Sequence, residues 1–196
     1  MKRIILLFSI LISINMFSQE NSESEVLPYY QIPDYPETYT AGTVAARMVD
    51  GLGFRYYWAT ENLREEDLEY RPNDEARSTV ETIDHLYGLS KVIVNSTLQK
   101  PNIRTEEPEM TFAEKRKKTL ENIKTAADIL RESNDISEFN VIFQRDEQSS
   151  EYPFWNNING PIADALWHCG QVVLLRRSSG NPFNSKASVF QGKLRE

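Results

Sequence analysis

The segment 159–182 carries both start and stop signals for one long helix, and this restricts the fold more than any other feature of the chain. Pro161 suits the first helical position, because a missing N–H costs nothing there. Arg176 and Arg177 place cations in the last turn, where they offset the negative end of the helix dipole. Gly180 can adopt the left-handed conformation that ends many helices. The sequence therefore predicts a helix from Pro161 to about Arg177.

One face of this helix carries polar side chains at helical spacing. Asp164, His168 and Gln171 follow each other at i, i+4 and i+7, so they share a face. A carboxylate and an imidazole one turn apart can bind the same metal ion. The chain has one further histidine, His85. We therefore expect a metal site formed by His85, Asp164 and His168.

Three further helices are predicted from capping residues that precede apolar residues at helical spacing. Ser78 and Glu81 form a capping box at the start of the second helix, and Thr111 and Glu114 form one at the start of the third. Thr40 is the predicted N-cap of the first helix. The predicted ranges are 40–63, 78–98 and 111–133. Gly51 and Gly53 in the first helix and Gly170 in the last predict close approach of neighbouring helices.

Each candidate ligand also has a structural interpretation. His85 shares a helix face with Glu81, Leu89 and Val92, so it points to an apolar interior, where a hydrogen-bonded core histidine is common. Asp164 is close to a helix start, where a carboxylate favours the helix dipole. His168 could simply pack. From the residues alone, the metal site and these structural roles remain open alternatives.

The segment 134–159 breaks the helical period before the last helix. Phe139, Val141 and Phe143 alternate with other side chains, which predicts a short extended segment, such as half of a hairpin. Such an insertion either covers a site or is a packed connection. The predicted fold is all-α, a four-helix bundle with a short β-hairpin inserted before the last long helix.

The first residues are typical of a secretory signal peptide. Lys2 and Arg3 precede an apolar run, 4–17, which is short for a membrane span of about 20 residues. No cysteine lies nearby to carry a lipid. We expect cleavage near Ser18 and a periplasmic or extracellular product; a retained N-terminal anchor is the alternative. Residues 19–39 form a predicted extended, proline-rich leader, and residues 40–196 form the predicted domain.

Charge and cysteine content exclude several classes of function. The net charge of −7 becomes −9 when Lys2 and Arg3 are removed, which disfavours nucleic acid and anionic membranes as partners. Cys169 is the single cysteine, so an intrachain disulfide is excluded. Cys169 and His168 are adjacent in a helix and do not face each other. Cys169 is therefore predicted to be a small buried apolar residue.

Two stretches resemble the DinB-like superfamily of metalloenzymes: ARSTVETIDHLYGLS around His85 and ADALWHCGQVVLLRRSSGNP around His168. The resemblance implies a four-helix bundle of unusual topology, often dimeric, and hence a homodimer. It also implies a divalent metal (zinc, nickel, iron or manganese) held by one histidine of the second helix and an H-x-x-x-H pair on the last. By position, His85 matches the first ligand and His168 the last. Asp164 replaces the histidine that is common in the family.

The resemblance implies a metal-dependent transferase or hydrolase that acts on a small molecule through metal-bound water or thiolate. Some relatives use low-molecular-weight thiols, which an exported protein would seldom meet, so the substrate is left open. Glu81, Tyr56 and Tyr57 are the candidates for proton transfer. The competing hypothesis is a non-catalytic exported bundle that serves in binding or in the envelope stress response.

Overall fold

The computed structural model describes residues 26–196, and it is mostly helical, as the sequence predicts. The predicted signal peptide, 1–18, and the start of the leader lie outside the described residues. The helices are α1 (Ala41–Thr60), α2 (Glu65–Glu69), α3 (Thr79–Thr97), α4 (Phe112–Glu132), α5 (Phe154–Asn157) and α6 (Ala163–Ser178). The strands are β1 (Asn102–Ile103), β2 (Val141–Arg145), β3 (Gln148–Tyr152), β4 (Ala187–Ser188) and β5 (Lys193–Leu194).

The predicted starts of the first three long helices are confirmed by their N-caps. Thr40, Ser78 and Thr111 each accept a hydrogen bond from the backbone N–H three residues later, and each position forms a capping box. The short helix α2 lies in what the sequence predicts to be a plain connection. Five residues are too few for a clear helical period, which explains why α2 was missed.

Four long helices share the main hydrophobic core. α1 packs against α4 and α6, and α3 packs against the same two helices. Each helix contributes fully buried apolar side chains, for example Val49, Ile83, Leu120 and Val172. Burying one such side chain stabilises the fold by about 1.5–3 kcal/mol, so the apolar stripes account for this packing.

The close approach between helices occurs at a different glycine from those predicted. A Cβ at Gly42 would lie 1.9 Å from the Ser133 carbonyl oxygen, so α1 meets the end of α4 there. At Gly53 the neighbour is the ring of Tyr29, 2.5 Å from such a Cβ, rather than a helix. Within the described part of the chain, a Cβ at Gly51 would meet only Arg55 of the same helix, and a Cβ at Gly170 would meet nothing within 4 Å, so both predictions were wrong.

The predicted start of the last helix coincides with a break in the helical backbone. Pro161 lies in the π-helical turn Ile158–Ile162, which connects α5 to α6. Gly160 has a non-helical conformation there (φ −96°, ψ −106°), which marks a kink. Pro161 directly follows this kink, so it begins the helical backbone after the break, as predicted, at a position where its missing N–H costs nothing. The predicted end is confirmed, with Gly180 at φ 86°.

The predicted hairpin is confirmed by β2 and β3, which pair antiparallel. β1 joins this sheet in parallel to β2, with Asn102 opposite Phe143 and Ile103 opposite Gln144. The sheet lies beside α3. No local pattern predicts β1, because two residues cannot show an alternating pattern.

The described part of the leader is non-helical, as predicted, and it is bound to the domain. Tyr29 is buried and its hydroxyl donates to Asp50, 3.1 Å away. The indole N–H of Trp58 donates to the Tyr30 carbonyl, and the Ile32 N–H donates to the Gly192 carbonyl in the C-terminal tail. Among residues 26–196, no helix is both long and apolar enough to cross a membrane.

A polar network fixes the end of α6. The carboxylate of Asp67, whose side chain is fully buried, accepts hydrogen bonds from Arg64, from the Ser179 hydroxyl at 2.6 Å and from the Asn181 amide at 2.6 Å. The buried guanidinium of Arg176 donates to two carbonyl oxygens at the end of α1. This network holds α6 at a defined position against α1 and α2.

Candidate metal centre

The three residues predicted as ligands lie together between α3 and α6. His85 lies in the second turn of α3, whose start is fixed by the Ser78 capping box, and Asp164 and His168 lie one turn apart on α6. His85 Nε2 is 3.0 Å from one oxygen of Asp164, and His168 Nε2 is 3.3 Å from the other. The structure therefore brings together one residue from α3 and two from α6.

The donor set fits a divalent metal ion. One potential ligand atom from each of His85, Asp164 and His168 lies within 4.8 Å of the other two. Imidazole and carboxylate ligands bind zinc at about 2.0–2.2 Å, which places neighbouring ligand atoms roughly 3–4 Å apart. Small movements of these side chains would bring all three atoms to one ion.

The centre is also accessible from outside. The side chains of His85 and Asp164 are 34% and 38% exposed, and that of His168 is 13% exposed. An ion held by these three side chains at this partly exposed position would keep coordination sites for further ligands, an arrangement typical of catalytic metal sites.

Asp164 contacts both imidazoles, which bears on its alternative role at the helix start. The Ala163 N–H at the start of α6 already donates to the Gly160 and Ile158 carbonyls of the π-helical turn. The first turn of α6 is therefore less open to a favourable interaction with a carboxylate than a free helix N-terminus would be. The contacts to His85 and His168 account for the position of Asp164 more directly.

Gln171 contributes a contact that the sequence analysis did not assign. His168 Nδ1 lies 2.7 Å from Gln171 Oε1. If Nδ1–H donates to this oxygen, a neutral His168 directs its Nε2 lone pair at the Asp164 carboxylate. That arrangement is repulsive unless a cation or a proton lies between them. The i, i+3 spacing of His168 and Gln171 places both side chains on one helix face, and this spacing was the signal in the sequence for their contact.

The three candidates for proton transfer lie in different surroundings. The Glu81 carboxylate accepts from the Ser78 N–H at 2.6 Å and contacts Arg71, and the Ser78 hydrogen bonds lower its pKa. Tyr56 is fully buried, which raises the pKa of its hydroxyl, and the Thr119 side chain offsets part of this shift.

Tyr57 belongs to an aromatic group beside the leader. Its ring packs edge-on against Tyr30 and Trp58, and the Arg116 guanidinium lies over it, 4.8 Å from the ring centre. Burial raises the pKa of the Tyr57 hydroxyl. These contacts engage Tyr57 in packing, whereas Glu81 serves as a helix cap.

The prediction for Cys169 is confirmed. Its thiol is free and buried, and burial raises its pKa to about 12. Burial thus favours the protonated thiol, and Cys169 packs as a small apolar residue in the main hydrophobic core.

Comparison with known proteins gives no further assignment. No protein-family model matches the chain, and neither a curated protein nor a solved structure matches it. The geometry of the centre is therefore the basis for a functional proposal.

Proposed function

We propose that the protein is a metal-dependent enzyme of the transferase or hydrolase type, with a divalent ion held by His85, Asp164 and His168. The observation that carries the proposal is the convergence of three ligand atoms from two helices within 4.8 Å. The chain's two histidines both belong to this cluster. Random placement of two histidines would rarely bring them to one carboxylate.

The donor set restricts the metal. Two imidazoles and one carboxylate suit zinc, iron, nickel or manganese, and with open positions they form the facial arrangement used by non-haem iron. A divalent ion at such a site supplies Lewis acidity and lowers the pKa of a coordinated water. Asp164 brings a negative charge that offsets the charge of the ion.

The protein's own residues would hold and orient this site. Gln171 fixes the ring orientation of His168 through Nδ1, the role that outer hydrogen-bond partners play at metal sites. The π-helical turn and the Asp67 network set the position of α6 at its two ends. The partly exposed His85 and Asp164 leave a side open to a small-molecule substrate.

The resemblance to the DinB-like superfamily supports this proposal and extends it. It implies that α1, α3, α4 and α6 form a four-helix bundle of that type and that the chain forms a homodimer. Export to the periplasm or outside the cell, with removal of residues 1–18, is part of the same proposal. It is supported by Lys2 and Arg3 before the apolar run.

A non-catalytic binding or stress-response protein is the second candidate, and one observation favours it. The cluster can satisfy itself without an ion if the Gln171 amide is turned so that its NH₂ donates to His168 Nδ1. His168 Nε2–H then donates to Asp164, and His85 can donate to the other carboxylate oxygen. The two candidates therefore differ in whether an ion or hydrogen bonds join the three side chains.

Metal analysis of protein purified without a histidine tag tests the proposal, because a tag can itself recruit metal. We expect about one divalent ion per chain after exposure to zinc, nickel, iron or manganese, and calorimetric titration of stripped protein should show saturable binding. His168→Ala should abolish this binding. Protein that binds none of these ions, yet folds normally, would favour the non-catalytic candidate.

A further inference from the structure

An open groove of about 1030 Å³ lies between α3 and one face of the three-stranded sheet. Side chains alternate between the two faces of a strand, so Phe143 and Arg145 of β2 share a face. The register places Asn102 opposite Phe143 and Ile103 opposite Gln144, so Arg104 follows in line with Arg145 on that face. All four of these residues line the groove, and so do Ile103 and Gln144 between them.

Continuing this register one residue past the end of β1 puts Arg104 next to Arg145, and both arginines are exposed. Neighbouring strands are about 4.8 Å apart, and like charges opposite each other destabilise a sheet. Among residues 26–196, neither the Arg104 nor the Arg145 side chain has a hydrogen bond or an ion pair. A bound anion would remove this repulsion.

The other charges of the groove compensate only one of these two positive charges. Lys91 and Glu107 form an ion pair with each other. Asp146 is the remaining carboxylate of the groove lining, so the groove keeps one net positive charge within a chain whose net charge is −7. The local charge thus opposes the charge of the whole chain, as in a site that attracts a small anion.

Gly88 connects the groove to the helix that carries His85. It lines the groove and lies three residues after His85 on α3, about 4.5 Å further along the helix axis. Among residues 26–196, no atom lies within 4 Å of a Cβ placed at Gly88, so the space beside this turn is open. A molecule held in the groove can therefore extend towards His85.

We propose that this groove is the substrate site of the centre and that it binds a small organic anion, whose carboxylate or phosphate group lies between Arg104 and Arg145. This inference rests on the proposed function. The exposed ring of Phe143 provides an apolar floor, and Gln148 and Ser150 provide polar contacts at the edge of the same face. Arginine suits such anions because its planar fork can donate two parallel hydrogen bonds.

The first experiment follows backbone amide NMR signals of the metal-free protein during titration with inorganic phosphate and, separately, with succinate. We expect saturable shifts at β1, β2 and Gly88, and the tighter of the two probes identifies the group that the site prefers. Arg104→Gln and Arg145→Gln should each weaken binding about tenfold or more, since each removes charge-assisted hydrogen bonds. Arg177→Gln, an exposed change on α6 outside the groove, should leave binding unchanged.

The second experiment blocks the groove at the end nearest His85. Gly88→Leu fills open space without a backbone clash and should weaken anion binding about tenfold, whereas Gly88→Ala should change it little. Thermal melting of both variants checks that the helix is intact. Binding that is unaffected by Gly88→Leu would overturn the link between groove and centre.

These experiments can reject the proposed anion site and the proposed metal site independently of each other. Metal binding without saturable shifts at β1 and β2 would reject the anion site and keep the proposed function. Anion binding in the groove of a protein that binds no metal would reject the proposed function, and with it the groove's role as a substrate site. Equal binding by wild type, Arg104→Gln and Arg145→Gln would overturn the inference.

Discussion

The imidazole rings of His85 and His168 meet edge to face, with their centres 4.5 Å apart and their planes at 85°. They come from different helices, and the carboxylate of Asp164 contacts both. Each ring directs Nε2 towards that carboxylate. Two nitrogen donors and one oxygen donor thus face a common point, which an ion can occupy if the side chains move slightly.

Divalent metal should therefore stabilise the folded protein. An ion at a hundredfold excess over Kd adds about 2.7 kcal/mol to the free energy of unfolding, which corresponds to roughly 5–10 °C in the melting temperature of a domain of this size. His85→Ala and His168→Ala should each abolish this gain, and the double variant should lose little more. Differential scanning calorimetry with and without chelator measures the effect.

The same binding should depend on pH. Metal ions and protons compete for the same ligand atoms, so metal affinity should fall as the pH is lowered. If neither several divalent ions nor a chelator changes the melting temperature at pH 7.5, the proposed metal centre is contradicted.

Substitutions of Asp164 should show whether this carboxylate is a metal ligand or only interacts favourably with the helix dipole. If it is a ligand, Asp164→Asn should reduce metal affinity at least tenfold, and Asp164→His should keep or raise it, because an imidazole replaces the carboxylate. If it acts on the dipole alone, Asp164→Asn should cost about 0.3–1 kcal/mol of stability and leave metal content unchanged. Titration calorimetry and urea denaturation of the same variants distinguish the two results.

Gln171 should raise the metal affinity of the centre by orienting the ring of His168. Gln171→Leu removes the partner of His168 Nδ1 and should lower metal affinity about 10–100-fold, whereas Gln171→Glu keeps an acceptor and should retain binding. Equal affinities of both variants and wild type would show that the hydrogen bond does not orient the ring. Titration calorimetry with the ion that binds wild type most tightly provides the measurement.

The sequence predicts local structure well where one residue type has one physical role. The capping boxes at Ser78 and Thr111 fix helix starts through their own side chains, and Gly180 ends α6 with the positive φ that glycine tolerates. The convergence of the candidate ligands was likewise visible, because helical spacing places Asp164 and His168 on one face. The pairing of that face with His85 depended on both histidines being directed inward.

The remaining features depend on contacts between distant segments, which spacing alone does not contain. Pro161 marks the helical backbone that follows the kink at Gly160, but no local pattern predicts the short helix α5 before that kink. The groove requires β1 to pair with β2 across an intervening helix, and no local pattern specifies that register. Gly42 and Gly170 look alike in sequence, but only the fold shows which one a neighbour touches.

Alanine substitutions at Gly42 and Gly170 should therefore change the free energy of unfolding in opposite directions. A methyl group at Gly42 would lie 1.9 Å and 2.2 Å from the Ser133 and Leu130 carbonyl oxygens, so Gly42→Ala must move α1 away from the end of α4. We expect a loss of about 1–3 kcal/mol, as for other overpacked sites. Gly170→Ala meets open space and should stabilise by roughly 0.5–1 kcal/mol. Urea denaturation measures both; a destabilising Gly170→Ala would indicate a neighbour that the fold does not show.

The carboxylate of Asp67 should make the free energy of unfolding depend on pH in the acidic range. Hydrogen bonds from Arg64, and further ones from Ser179 and Asn181, hold the pKa of its carboxyl well below the usual range. A depressed folded-state pKa contributes stability above the unfolded value of about 3.9, and this is lost as pH falls below it. Asp67→Asn should therefore cost about 2–4 kcal/mol at pH 7, since charged hydrogen bonds contribute about 1.5–3 kcal/mol each and the amide keeps some of them.

The direction in which the free energy of unfolding changes with pH tests this role of Asp67. From pH 7 to pH 3 the wild type loses the contribution of Asp67 and the Asp67→Asn variant does not, so the difference between their unfolding free energies should shrink by about 1 kcal/mol. Groups that titrate in both proteins cancel in that difference. Asp74→Asn, at an exposed position, should differ little from wild type at either pH. A difference for Asp67→Asn that stays constant between pH 7 and pH 3 would show that its carboxyl group has an ordinary pKa, and that packing alone holds the end of α6.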